Sequence, residues 1–189
     1  MTAFDHLVLL FSFVYALALA HVLSRAAGLL FARQRVRFSG PLPLWMVNAV
    51  LMVFINWLSL WDARAMPTWT LYSICLQFLF AITIYFFCAM AAPEFPAEGN
   101  IDTETMYGQT RVPLLVSALV LCLVAIAGNL DLMRVNRLLF LEQNLTTTAS
   151  VAFVILPLAV RARWAQWAGA IAILLLLCLF LLLFESALR

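Results

Sequence analysis

The stretch LLFLEQNLTTTASVAFVILPLAV, residues 138–160, is long enough to cross a bilayer, yet it carries a run of polar side chains. On a helix of 100° per residue, most of these polar side chains fall within an arc of about 140°, with Leu138, Leu141, Leu145 and Leu156 on the opposite side. One face of this helix suits lipid, and the other suits protein or water. The residues of the polar arc are Glu142, Gln143, Thr146, Thr147 and Ser150.

The composition of the whole chain indicates that most of it is surrounded by lipid. The 189 residues are 66% hydrophobic and 11% charged, which is more apolar surface than a water-soluble core of this size can bury. The net charge of +2 is small and scattered, so the sequence argues against nucleic-acid binding. The chain resembles the many small multi-pass membrane proteins of bacteria, a likeness that implies the bacterial inner membrane but no function.

Runs of apolar residues predict an all-α, polytopic integral membrane protein with six transmembrane helices in one bundle. About 20 residues at 1.5 Å each cover a hydrocarbon core of about 30 Å. Proline supports the boundaries, because Pro43, Pro67 and Pro113 lie at or just before a predicted first turn, where a missing N–H costs nothing. The acidic segment 93–112 is predicted to be a solvated linker. The predicted helices are approximately 7–31, 43–61, 68–92, 113–130, 138–160 and 165–184, within a single domain covering 1–189.

The distribution of arginine predicts the orientation of the bundle. Seven of the eleven arginines fall in or beside the links between spans one and two, three and four, and five and six. Because basic residues favour the cytoplasmic side, both termini are expected to face the periplasm.

Polar arcs also predict which helix faces point inward, because polar groups at bilayer depth are costly and face the bundle. Spans one, two, three and five each carry such an arc, so we expect them to form a polar interior, with spans four and six outside. The candidates for a polar pathway are His21, Arg25, Asn56, Asp62, Gln77, Glu142, Gln143, Thr146 and Ser150.

A stripe of small residues opens the sixth span. Such a stripe allows close approach of a neighbouring helix, in the same chain or in a second copy. Its members, spaced i, i+3, i+4 and i+7, are Ala165, Ala168, Gly169 and Ala172.

His21 and Glu142 each have a functional and a structural interpretation. A mid-bilayer histidine could ligate haem or pigment or relay protons, but the other histidine, His6, lies on the same helix about 22 Å away by helical rise, too far to share one haem. A hydrogen-bonded structural histidine is therefore favoured. Glu142 lies about 10 Å from the predicted midplane, within snorkelling distance of the headgroups. No cofactor is predicted, and no calcium-loop spacing or other metal site is found in the sequence.

Three functions remain open from the sequence. The first is a homo-oligomeric protein that forms a polar pathway or sensor for a small ion or proton. The second is a non-transporting scaffold or an accessory subunit of a larger membrane complex, whose polar arcs are interhelical hydrogen bonds. The third is an enzyme acting on lipid or quinone headgroups, which is disfavoured because the sequence contains no recognisable catalytic motif. No catalytic residue is predicted.

Overall fold

The computed structural model describes residues 3–60, 70–96, 98–130 and 137–187, except for the side chains of 3–5, 137–140, 142, 143 and 183–187. These residues form an all-helical bundle of six helices, as predicted. The helices are α1 (Ala3–Phe31), α2 (Leu42–Ser59), α3 (Leu71–Ala91), α4 (Thr103–Gly128), α5 (Arg137–Ala159) and α6 (Arg163–Ala187). Two short strands, β1 (Val36–Arg37) and β2 (Ile101–Asp102), lie in the links.

Five helices of the described chain are long and apolar enough to cross a membrane, namely α1, α2, α3, α4 and α6. In α5 the described apolar part, Asn144–Ala159, is shorter. The chain is therefore a multi-pass membrane protein by length and composition. We call the end of the bundle where α1, α3 and α5 finish and α2, α4 and α6 begin the arginine end.

Helix α2 lies at the centre of the bundle and packs against α1, α3, α4 and α6. Trp45 is fully buried on it and meets Phe87 of α3 edge to face, with ring centroids 6.3 Å apart. Helix α4 packs against α3 and α5, and α5 packs mainly against α4 and α6. The predicted interior of spans one, two, three and five, with four and six outside, is therefore wrong, because α4 and α6 contribute to the core.

Helix α4 begins ten residues earlier than predicted. Asp102 is its N-cap, and one carboxylate oxygen accepts the Glu104 backbone N–H at 3.1 Å while the other accepts the Thr105 hydroxyl at 3.0 Å. Half of the predicted solvated linker 93–112 is thus helical, and Pro113 lies inside the helix. A capped start compensates for the backbone hydrogen bond that Pro113 cannot donate.

The α1–α2 and α3–α4 links are joined at the arginine end. Strands β1 and β2 pair in parallel. The Ser39 hydroxyl donates to Asp102 Oδ1 at 2.6 Å, and the Ser39 backbone N–H donates to Thr103 Oγ1 at 2.9 Å. Gly40 has a φ of +71°, and a Cβ there would lie 3.0 Å from Glu104 Cα. Only glycine allows the chain to turn into α2 this close to the first turn of α4.

Helix α6 lies close to α5 at Gly169. A Cβ at this position would lie 2.7 Å from Pro157 Cγ and 2.8 Å from the Phe153 carbonyl oxygen. Ala165 is fully buried, while Ala168 and Ala172 are partly buried. Gly169 of the small-residue stripe therefore lies at the α5–α6 contact, next to the proline of α5.

We expect Gly169→Ala to destabilise the bundle by about 1–3 kcal/mol, because the added methyl group meets backbone and ring atoms that cannot move aside. Gly28→Ala is the matched control: a Cβ at Gly28 has nothing within 4 Å, so the gain in helix propensity should leave stability unchanged or raised by about 0.5–1 kcal/mol. Unfolding in mixed detergent micelles measures both. Equal stability of the two variants would contradict the close contact.

Acid should loosen the joined links at the arginine end. The hydrogen bond from Ser39, followed by those from the Glu104 N–H and the Thr105 hydroxyl, lowers the pKa of Asp102 below its ordinary value of 3.8. A lowered folded-state pKa stabilises the fold above the unfolded-state value, and this stabilisation is lost as the pH falls through the folded-state value. The melting temperature of Asp102→Asn should therefore lie below that of the wild type at neutral pH and converge with it below about pH 4. A difference that does not change with pH would contradict this assignment.

Candidate functional site

An open cleft of about 480 Å³ lies at the arginine end. Three parts of the chain build it: the turn into α2, the first three turns of α4, and the link from α5 to α6 with the start of α6. Each is a region where a polar link meets an apolar helix. The lining residues are Gly40, Pro41, Glu104, Tyr107, Gly108, Arg111, Val112, Arg161, Arg163 and Gln166.

The charge of the cleft is basic, with three arginines and one glutamate in its lining. Arg163 Nη2 lies 3.5 Å from Glu104 Oε2, and both side chains are substantially exposed, so this ion pair contributes little to stability. Within the described chain, no carboxylate pairs with Arg111 or Arg161. Two of the three guanidinium groups in the lining therefore form no ion pair with a carboxylate of the described residues.

The floor of the cleft is a buried hydrogen-bond network centred on Gln166. The Tyr107 hydroxyl donates to Gln166 Oε1 at 2.7 Å. Gln166 Nε2 donates to the carbonyl oxygens of Pro157 and Val160, at 2.9 and 2.6 Å. The last carbonyls of a helix have no partner within the helix, and Gln166 supplies one for α5. This one amide therefore joins α4, α5 and α6.

Helix α2 adds two buried polar side chains next to this floor. Asn48 Nδ2 donates to the Ala170 carbonyl of α6 at 2.9 Å. The Trp45 indole N–H lies close to the Tyr107 hydroxyl without reaching hydrogen-bond geometry. In the described part of the protein, Trp45 Nε1 and Asn48 Oδ1 are buried without a partner. We call Trp45, Asn48, Tyr107 and Gln166 the polar seam.

The candidates predicted on α1 contact α3 rather than the cleft. His21 Nε2 lies 3.0 Å from the Ala92 carbonyl oxygen, as a donor in the tautomer that carries the proton there. Arg25 Nη2 lies 3.4 Å from Glu94 Oε1, and Glu94 is largely exposed. Both side chains thus tie the second half of α1 to the residues that directly follow α3.

Other predicted candidates are bonded locally. Asn56 Nδ2 donates to the Met52 carbonyl at 2.7 Å, and the Ser150 hydroxyl donates to the Thr146 carbonyl at 2.8 Å, each within its own helix. Gln77 of α3 lies near the buried hydroxyl of Tyr15 on α1, which forms no hydrogen bond of ordinary geometry in the described chain.

The rest of the predicted pathway lies outside the described residues: Asp62, and the side chains of Glu142 and Gln143. The hydrogen bonds of His21, Arg25, Asn56 and Ser150 do not connect these four residues with one another, and α5 packs mainly against α4 and α6. No group of three or more histidine, cysteine or acidic side chains in the described chain could hold a metal ion.

Two polar contacts were missed from the sequence, Tyr107–Gln166 and Asn129–Asn144. Tyr107 lies in the segment predicted as a solvated linker, although Asp102 before Thr103 and Glu104 is an N-cap signal. Gln166 is the one polar side chain among the alanines and tryptophans that follow Arg163. Asn129 Nδ2 donates to Asn144 Oδ1 at 3.1 Å and joins α4 to α5 at the opposite end.

We expect Tyr107→Phe to destabilise the protein by about 1 kcal/mol, because one hydrogen bond between helices is lost. Gln166→Leu should cost more, about 1–3 kcal/mol, because it also leaves the two α5 carbonyls without a donor. The double variant should cost less than the sum of the two, since both changes remove the same bond. Unfolding of the four proteins tests this; strictly additive losses would mean that the two side chains do not interact.

Comparison of the chain with protein-family models, with curated proteins and with solved structures finds no match. The arginine-lined cleft and the polar seam beneath it are the features from which function is inferred. Both lie at the same end of the bundle, and Tyr107 and Gln166 belong to both.

Proposed function

We propose that this membrane protein binds a small anion, of the phosphate or carboxylate class, in the cleft at the arginine end. The observation that carries this proposal is the placement of three arginines around one open cleft in which only Arg163 has a carboxylate partner among the described residues.

The chemistry of arginine fits this ligand class. A guanidinium is always charged and presents its donors in a planar fork that matches two oxygens of a phosphate or carboxylate. Arg161 and Arg163 approach from the α5–α6 link, and Arg111 approaches from α4. A cleft of about 480 Å³ lies within the size range of small-molecule sites. Its open side admits a headgroup or a free anion.

The binding of an anion is supported better than catalysis. The phenol of Tyr107 is buried and donates to an amide, and no histidine lines the described cleft. The proposal thus accords with the non-transporting alternative, in which the protein is a scaffold or an accessory subunit. The ion or proton pathway in a homo-oligomer stays a prediction, because Asp62 and the Glu142 side chain lie outside the described residues.

For orientation we propose that the arginine end faces the cytoplasm of a bacterial cell and that both termini face the periplasm. Seven of the eleven arginines lie toward this end, and basic residues in short links favour the cytoplasmic side. The cleft then opens on the side where cells hold most of their phosphorylated compounds.

The test measures the binding of inorganic phosphate to delipidated protein in a non-ionic detergent. Broadening of the phosphorus NMR signal of the phosphate reports the binding. We expect saturable binding, weakened about tenfold or more in Arg111→Ala and in Arg161→Ala, since each loses a charge-assisted hydrogen bond.

Arg33→Ala is the matched control. Arg33 is exposed in the α1–α2 link at the same end but does not line the cleft. Its loss removes the same charge and should leave binding within about twofold of the wild type, because exposed charges are screened beyond about 10 Å. Equal weakening by all three variants, or no saturable binding, would overturn the proposal.

A further inference from the structure

We infer that the anion is the phosphate of a membrane phospholipid with a net negative headgroup, and that it enters the cleft sideways from the bilayer. This inference rests on the proposed function and adds the class and the source of the ligand. Three observations support it: the depth of the arginines, the surface that continues from the cleft, and the balance of charge in the lining.

The arginines lie where the apolar spans begin. Val112 follows Arg111 directly, and Trp164 follows Arg163. Trp164 is 63% exposed, as is typical of tryptophans anchored among the headgroups. The guanidinium groups therefore lie at the level where lipid phosphates are concentrated, rather than in bulk water.

One wall of the cleft continues into the lipid-facing surface of α4. Val112 lines the cleft and is 51% exposed. Val116 and Val120 follow at successive helical turns, and both are exposed. We call these three residues the α4 ridge. A phosphate held by Arg111 leaves its acyl chain beside the ridge, which a free anion would not use.

The balance of charge selects among headgroups. Three arginines and one glutamate line the cleft, so a choline or ethanolamine group would bring its positive charge close to guanidinium groups. Like charges brought together in this way are disfavoured. A headgroup such as phosphatidylglycerol carries the phosphate without that charge, and basic pockets between helices on the cytoplasmic side are a recurring mode of anionic lipid recognition.

The experiment is native mass spectrometry of the protein in micelles containing equal amounts of phosphatidylglycerol and phosphatidylcholine. We expect one retained phosphatidylglycerol, favoured about tenfold or more over phosphatidylcholine, as two charge-assisted hydrogen bonds would give. The preference should be lost in the Arg111→Ala/Arg161→Ala double variant and kept in Arg33→Ala. Equal retention of the two lipids by the wild type would overturn the inference.

A second pair of variants distinguishes recognition of the acyl chain from recognition of the phosphate. Val116→Gln, at a position on the α4 ridge that does not line the cleft, should lower phosphatidylglycerol retention about fivefold, because contact between the acyl chain and an apolar side chain is lost. Inorganic phosphate binding should not change. Leu30→Gln is the control, since Leu30 is 66% exposed near the same end but lies on α1, outside the cleft; it should alter neither measurement.

The outcomes distinguish this inference from the proposed function. If inorganic phosphate binds in an arginine-dependent way but phosphatidylglycerol is not preferred, the proposed anion site is supported and the inference that its ligand is a lipid is overturned. Loss of both would overturn both. Equal weakening of phosphate and lipid binding by Val116→Gln would mean that the substitution acts through the shape of the cleft, and would overturn the acyl-chain contact.

Discussion

The hydrogen bonds of one buried side chain, Gln166, join three helices, α4, α5 and α6, at the arginine end. Within a bilayer, a backbone carbonyl that has no partner in its own helix must find one elsewhere in the protein. The carbonyls of Pro157 and Val160 lie at the end of α5. Gln166 donates a hydrogen bond to both carbonyls and accepts one from Tyr107. Because these carbonyls need donors, the start of α6 packs against the end of α5. Gly169 permits the close contact between the two helices.

The same requirement explains why α4 extends beyond its apolar segment. Tyr107 can reach Gln166 only if α4 is already helical before Pro113, and the cap at Asp102 starts it early enough. The paired links and the contact of Gly40 with Glu104 then hold the first turns of α4 against the entry to α2. The cleft is the space left among three helix ends fixed in this way. Its basic lining follows from the arginines that end or begin the apolar spans.

The number of helices and their approximate bounds could be predicted from the sequence, because the thickness of a bilayer sets the length of an apolar span. The start of α4 could not be placed in this way, since the polar residues 103–112 lack the composition of a span and Pro113 is typical of a first turn. Periodicity also identifies a polar face without identifying the neighbour that it meets. Asn56 and Ser150 lie on such faces, yet each bonds a carbonyl of its own helix. The cleft was missed because its residues come from three separate parts of the chain.

We propose that helix ends fixed by Gln166 hold Arg111 and Arg161 around a lipid phosphate at the membrane surface. The most direct measurement is a cryo-electron microscopy structure of the protein in nanodiscs of phosphatidylglycerol. We expect phosphate density about 2.7–2.9 Å from both guanidinium groups, the distance of a charge-assisted hydrogen bond, with acyl-chain density along Val112 and Val116. Guanidinium groups that extend into bulk water above an unoccupied cleft, or an α4 that begins at Pro113, would contradict it.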